Sequence, residues 1–228
     1  MIRSRPDLPP PLPAAMLILL SPAKTLDFSP QRQTKTFSEP QFLDDAEKLI
    51  SKLRGLSQKK LATLMGISDD LAKLNHERYA AWSRPFTTEN AKQAILAFDG
   101  DVYTGLAAKT FRAADFKFAQ QHLRILSGLY GILRPLDLMQ PYRLEMGTKL
   151  ATRRGKTLYD FWGDRIAAAM NKELDTQPSR AIVNLASQEY FKATKPKQLD
   201  AQVIAPVFKE IKDGKARTIA TFAKIARG

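Results

Sequence analysis

Apolar positions along this chain change period several times, and each change marks an element. Residues 16–20 form an unbroken apolar run, short enough for a buried strand, and Ser21-Pro22 ends it. Residues 29–40 are polar and contain Pro30 and Pro40, which predicts a loop. Over 42–53 apolar side chains recur at helical spacing (Phe42, Ala46, Leu49, Ile50, Leu53), and Gly55 stops the pattern. A short helix is expected over 57–65, and Ser68 or Asp69 caps another running to about Trp82. Thr87 or Thr88 caps a fourth helix over 89–97. Further on, 115–124 reads as a helix and 124–127 as a buried strand. The longest helical pattern covers 157–174, with Leu158, Phe161, Ile166, Ala169 and Met170 on one broad face. Strands are expected over 181–185, 202–209 and 217–222. Helices crowded between strands predict a single domain of mixed α/β (α+β) class.

One segment resists this periodicity. Residues 122–147 begin apolar, break at Ser127-Gly128, restart at Leu129 and break again at Arg134-Pro135. Glycine and proline punctuate a chain because one permits left-handed backbone and the other fixes φ and removes an N–H. The segment carries Arg124, Arg134, Arg143, Asp137 and Glu145, and reads as a binding loop rather than core.

Charge indicates what such a loop would bind. The 228 residues hold 36 Lys and Arg against 23 acids, a formal charge of +13, which favours a polyanion or an anionic ligand. The absence of cysteine excludes disulfides, thiolate catalysis and cysteine-based zinc sites. Two histidines, His76 and His122, argue against a histidine-rich metal site, and no cofactor is expected. Residues 1–15 are proline-rich and read as a disordered extension before a folded unit that starts at Met16. Prolines 9, 10, 11 and 13 interrupt any signal-peptide core, and the apolar stretch 14–20 is too short to span a bilayer.

Candidate chemistry falls into several patches. Ser21-Pro22-Ala23-Lys24 follows the first strand; it suits the start of a helical turn that holds an anion, or a serine tuned by a lysine. Asp99-Gly100-Asp101, with Tyr103, is a turn or a pair of oxygen ligands for Mg²⁺. Asn184, Ser187 and Glu189 lie at the end of the strand over 181–185, where open α/β sheets place ligands. Lys192, Lys195 and Lys197 follow Tyr190 and Phe191, a combination suited to phosphate contact with base stacking, or to a solvated charge run. The string LSGLYGIL at 126–133 invites comparison with a helix-hairpin-helix, in which glycines let backbone N–H groups approach a DNA phosphate. Gly128 and Gly131, however, are one residue further apart than that pattern requires.

Taken together, LILLSPAKTLDF, LATLMGISDDLAKLN, AILAFDGDVYTGL, the 118–147 segment, LYDFWGD and NLASQEYFKATKPK resemble the YaaA family of bacterial peroxide-stress proteins across residues 16–228. The resemblance implies a cytoplasmic DNA-binding protein of mixed α/β fold with a positively charged cleft and a helix-hairpin-helix-like element. It also implies that the protein limits free intracellular iron and so protects DNA from oxidation. In this family the fold continues past Ala226-Arg227-Gly228 with another helix and a closing strand, so the 16–228 domain is expected to be C-terminally truncated.

The expectation is therefore a largely sequence-independent, phosphate-directed DNA binder with no membrane association. Lys24, Arg124, Arg134, Arg143, Lys192, Lys195 and Lys197 would contact phosphate, and Gly128 and Gly131 would permit close approach. The rival is an enzyme acting on a nucleotide or nucleic acid, with Ser21, Asp101, Tyr103, Asp137, Glu145, Asn184, Ser187 and Glu189 forming a polar cleft.

Overall fold

The computed structural model describes residues 16–212, 215–217 and 220–228; the proline-rich extension over 1–15 lies outside them. The first strand, β1 (Leu17–Leu20), buries Leu17, Leu19 and Leu20 almost completely, as a strand covered on both sheet faces does. The chain leaves it through an irregular segment into β2 (Thr25–Leu26) and the polar stretch, then enters three helices. In α1 (Leu43–Arg54), Leu43, Ala46, Leu49, Ile50 and Leu53 face the core. Full burial of a leucine or isoleucine contributes about 1.5–3 kcal/mol. Its acids, Asp44 and Asp45, lie in the first turn and Lys52 and Arg54 in the last, opposing the helix dipole.

The helices α2 (Gln58–Met65) and α3 (Asp69–Ala81) are capped by Ser57 and Ser68, whose side chains accept the backbone N–H groups of Lys60 and Leu71. Gly66-Ile67-Ser68 joins them, with Gly66 in the left-handed region at φ 60°. Arg54 closes the other end of α3, its Nε donating to the Tyr79 carbonyl at 2.7 Å.

The helix expected over 89–97 forms only at its end. Residues 92–93 are a strand, β3 (Lys92–Gln93), followed by α4 (Ala94–Ala97) and β4 (Phe98–Asp99). Tertiary partners take the polar groups a longer helix would have used. The Ala94 and Ile95 N–H groups donate to the Asp137 and Pro135 carbonyls, and Lys92 Nζ donates to the Asp27 and Ser29 carbonyls. Two helices come next, α5 (Asp101–Leu106) and α6 (Ala113–His122), and then β5 (Leu123–Ser127). The chain becomes extended at Leu123, one residue before sequence spacing suggested, because Leu123 and Ile125 pair with Ile18 and Leu20.

The largest correction concerns 126–133. No helix occurs there: β5 turns at 128–130 into β6 (Gly131–Leu133), an antiparallel hairpin with Ser127 opposite Gly131 and Ile125 opposite Leu133. The whole hairpin is buried. A Cβ on Gly128 would collide with the Leu144 carbonyl, and one on Gly131 would lie 2.7 Å from the Trp162 ring. Trp162 Nε1 also donates to the Gly128 carbonyl at 3.0 Å. These glycines make room for neighbouring protein, and the segment read as a binding loop is core as far as Gln140.

After β7 (Leu138–Met139), which pairs with β3, the long helical pattern resolves into α7 (Leu158–Trp162) and α8 (Arg165–Leu174). Gly163, at φ 51°, separates them, because a right-handed helix cannot pass through that conformation. The chain continues through β8 (Ala181–Asn184), α9 (Gln188–Lys192) and β9 (Gln202–Ile204), the last shorter than the expected 202–209. A hairpin of β10 (Glu210–Lys212) and β11 (Lys215–Arg217) precedes α10 (Ala220–Ile225). Of the strand expected over 217–222, residues 218–219 lie outside the described residues, and 220–222 are helical, the first turn of α10.

The main sheet has the order β6-β5-β1-β8-β9, parallel except for β6. The expected mixed α/β class is what the structure has. Among the described residues no helix is long and apolar enough to cross a membrane.

Candidate functional site

Strands β1 and β8 lie side by side, Leu19 opposite Asn184. The next strands added to the sheet are β5 beside β1 and β9 beside β8, on opposite sides. Adjacent strands whose connections diverge in this way leave a crevice at their carboxyl ends. Here it is a cleft of about 420 Å³. Ser21, Pro22 and Lys24 enter it from the end of β1, and Leu185, Ser187, Glu189 and Tyr190 from beyond β8. The end of β4 and the start of α5 supply Asp99, Asp101 and Tyr103, and the loop after β7 supplies Tyr142, Arg143 and Glu145.

Two serines fasten the strand ends together. Ser21 Oγ accepts the Ser187 N–H at 2.9 Å and donates to Ser187 Oγ at 3.3 Å. The Ser21 carbonyl accepts the Tyr103 hydroxyl at 3.0 Å. Residues 21–24 form no helical turn, so the expected helix start at Ser21-Pro22 is corrected. Ser21 instead spends its carbonyl on Tyr103 and its hydroxyl on Ser187.

Glu145 is the electrostatic centre of the cleft. One of its oxygens lies 3.0 Å from Lys24 Nζ, and the other accepts from Arg143 Nη2 at 3.2 Å. Glu189 accepts the Gly147 N–H at 2.7 Å, and its carbonyl accepts the Tyr159 hydroxyl at 3.0 Å. Burial, together with the Glu189 and Glu145 carboxylates, holds the Tyr190 hydroxyl well above the usual phenol range. Burial does the same for Tyr103 and Tyr142, with Tyr190 adding to it. Three neutral phenols therefore line the cleft at physiological pH, able to donate hydrogen bonds but not to act as phenolate bases. Tyr142 shares a hydrogen bond of 2.6 Å with Ser127 Oγ.

The charges balance. Lys24, Arg143, Lys224 and Arg227 face Asp99, Asp101, Glu145 and Glu189 around the described part of the cleft. The resemblance implied a positive cleft; the described lining is mixed. Among the described residues no group of three or more metal-ligating side chains is disposed to hold a metal ion.

Of the polar set expected from sequence, Ser21, Asp101, Tyr103, Glu145, Ser187 and Glu189 meet here, joined by Lys24 and Arg143 from the basic set. Asn184 instead shapes the turn after β8, its Oδ1 accepting the Ala186 N–H at 3.0 Å. Asp137 is buried elsewhere, accepting from Ser38 Oγ at 2.6 Å and from the Arg134 N–H at 2.8 Å. Burial raises its pKa above the usual carboxylate value.

The remaining basic residues lie apart from the cleft. Arg124 is buried and ion-paired to Glu173 at 2.6 Å. Arg134 pairs with Asp137 at 3.2 Å and Lys195 with Asp164 at 2.5 Å. Lys192 stacks over the Tyr159 ring at 4.9 Å, and Lys197 is exposed on a short 3₁₀ turn.

Sequence reading missed Tyr142, Tyr190 and Arg227 as cleft residues. Only the position of Tyr190, next to Glu189, could have signalled one of them. It also passed over the α2–α3 pair as a surface, although Gly66 followed by an apolar residue and a capping serine marks a tight helical hairpin. That pair exposes Lys59, Lys60 and Lys73. The model of the family described as "Peroxide stress protein YaaA" matches residues 16–228.

Proposed function

The chain belongs to this peroxide stress protein family, and on that premise we propose that it binds DNA during the response to hydrogen peroxide. Binding shields DNA from oxidation, and any influence on free intracellular iron is indirect. The observation that carries the reading is the α2–α3 hairpin, which presents exposed Lys59, Lys60 and Lys73 on a chain of charge +13. This pair, rather than 126–133, is the helix-hairpin-helix-like element of the proposal. Asp69 and Asp70 occupy the first turn of α3, so phosphate contact falls to the lysines rather than to that helix terminus.

Duplex affinity measured by fluorescence anisotropy across a salt series tests the proposal. If six phosphates are neutralised, log K falls against log salt with a slope of about −5. Replacing Lys59, Lys60 and Lys73 with glutamine lowers the magnitude of that slope by about 3. A salt-independent affinity, or a slope unchanged in the triple variant, refutes it.

A second reading follows from the cleft. A pocket of mixed charge at a switch point, holding paired serines, a lysine and two glutamates, is what chemistry on a nucleotide or nucleic acid would use. Incubation with labelled duplex, bulged and single-stranded DNA plus Mg²⁺ separates the two readings. Product that accumulates with time and is lost in Lys24→Ala and Glu189→Ala supports the enzyme; a mobility shift without product removes it.

A further inference from the structure

Cations from two elements converge at the end of the cleft held by Glu145, and a third lies near them. Lys24 arrives from beyond β1 and Arg143 from the loop after β7. Arg78 approaches from α3, half-buried, with its pKa lowered by burial and also by the nearby Arg143 charge. The Tyr79 hydroxyl donates to the Arg143 carbonyl and pins α3 to this loop. The carboxylate that pairs with Lys24 and Arg143 is a local one, two residues along the chain from Arg143.

That carboxylate leaves the cluster incomplete. Glu145 satisfies Arg143 Nη2 and Lys24 Nζ, but Arg143 Nε is buried and has no hydrogen-bond partner among the described residues. An unsatisfied buried donor on a charged group is costly, and a guanidinium presents its Nε and Nη donors as a fork made for two oxygens of one anion. A carboxylate has two oxygens, here used on Lys24 and Nη2. A phosphoryl group has three terminal oxygens and can reach Lys24, Nη2 and Nε together.

We propose that this end of the cleft is a phosphomonoester subsite, in which the terminal phosphate of a nucleotide displaces the Glu145 carboxylate from Lys24 and Arg143. Glu145 is thus an internal anion that holds the subsite in the absence of ligand. The cleft volume of about 420 Å³ suits one nucleotide unit and not a duplex. The Tyr103, Tyr142 and Tyr190 walls offer aromatic surface to the rest of the ligand. The inference rests on the second reading of the cleft, and it concerns binding alone. The same phosphoryl chemistry is found on a free nucleoside monophosphate and at the 5′ end of a DNA strand.

The full chain is titrated with a short 3′-fluorescein-labelled single strand carrying either a 5′-phosphate or a 5′-hydroxyl, and with adenosine 5′-monophosphate or adenosine as competitor. The expected result is a preference of about tenfold or more for the phosphorylated member of at least one pair, the gain of one charge-assisted contact. Preference within the strand pair assigns the subsite to DNA ends, and preference within the nucleoside pair assigns it to free nucleotides. Glu145→Gln removes the competing anion and tightens the phosphorylated ligand by about tenfold. Lys24→Gln, at a largely exposed position where folding is not at risk, abolishes the preference. Equal binding within both pairs, in wild type and in Glu145→Gln alike, overturns the proposal. Duplex without terminal phosphates is titrated in parallel; loss of its salt-dependent binding sinks the DNA-binding reading and leaves the subsite standing.

Discussion

Replacing Gly131 with alanine separates two roles for the buried hairpin. If its glycines bring backbone to a DNA phosphate, Gly131→Ala weakens DNA binding and leaves stability nearly untouched. The structure requires the reverse. Gly131 sits at φ 70°, and its missing Cβ would fall 2.7 Å, 2.9 Å and 3.0 Å from three carbons of the Trp162 ring. Left-handed backbone costs an alanine about 1–2 kcal/mol. Forcing extra volume into a packed core costs about 1–3 kcal/mol more. Trp162 has little freedom to yield, because it is fully buried and its Nε1 is committed to the Gly128 carbonyl. The total is about 2–5 kcal/mol. For a domain of this size each kcal/mol lowers Tm by about 2–4 °C, so a fall of about 4–20 °C is expected. Urea denaturation at equilibrium gives the free energy, and anisotropy with duplex DNA, at a temperature where the variant remains folded, gives the affinity. Stability within about 0.5 kcal/mol of wild type, the ordinary range for a surface substitution, combined with weakened DNA binding would refute the packing assignment.

Gly128→Ala acts on the cleft through the backbone: its Cβ meets the Leu144 carbonyl, so the Arg143–Glu145 loop must shift, and binding of a phosphorylated ligand should fall along with stability. Unchanged ligand affinity in the folded variant would contradict that coupling. Acid sensitivity has an assigned contributor in Asp27, whose pKa is depressed chiefly by the hydrogen bond from Lys109, then by Ser29. A depressed carboxylate pKa stabilises the fold above the unfolded value near 3.9, and this stabilisation is lost as pH falls toward the folded pKa. The stability of Asp27→Asn, measured by urea denaturation between about pH 5 and pH 3, should therefore fall less steeply than that of wild type; parallel curves would remove Asp27 from the account.

Where neighbours in sequence decide structure, the chain could be read directly. The strand at β1, the amphipathic α1 and the serine caps of α2 and α3 appear where spacing put them. Sequence failed where distant groups take over the backbone. Residues 92–93 leave the helix they were expected to join because the neighbouring Ala94 and Ile95 N–H groups find partners around Pro135 and Asp137. The 122–147 segment misled for a related reason. Gly, Pro and alternating charge signal a surface loop only if the charges face water, and here Arg124, Arg134 and Asp137 find partners inside the protein. The polar cleft was legible because residues that end parallel strands share one edge of the sheet whatever lies between them. That is why Ser21, Ser187 and Glu189 could be grouped from the sequence, whereas Tyr142 could not.

This division between matched arginines and exposed lysines predicts how the two cation types respond to exchange. Arg124 Nε and Nη2 both reach Glu173 Oε2 at 2.6 Å, and its Nη1 donates to the Gln120 and Leu123 carbonyls at 3.0 Å and 2.6 Å. A lysine there keeps the charge but brings a single compact head to a site shaped for a fork. Arg124→Lys leaves buried carbonyls and part of Glu173 unpaired, at about 1–3 kcal/mol for a lost buried partner. Lysines at 59, 60 and 73 act as point charges in water, so exchanging all three for arginine preserves what phosphate requires of them. Arg124→Lys should therefore lower stability in urea while duplex affinity stays within about twofold. The triple lysine-to-arginine variant should keep stability within about 0.5 kcal/mol and retain the salt slope. If Arg124→Lys instead weakened DNA binding without loss of stability, its guanidinium would have to reach phosphate directly. Its burial against Glu173 would then not describe the DNA-bound state.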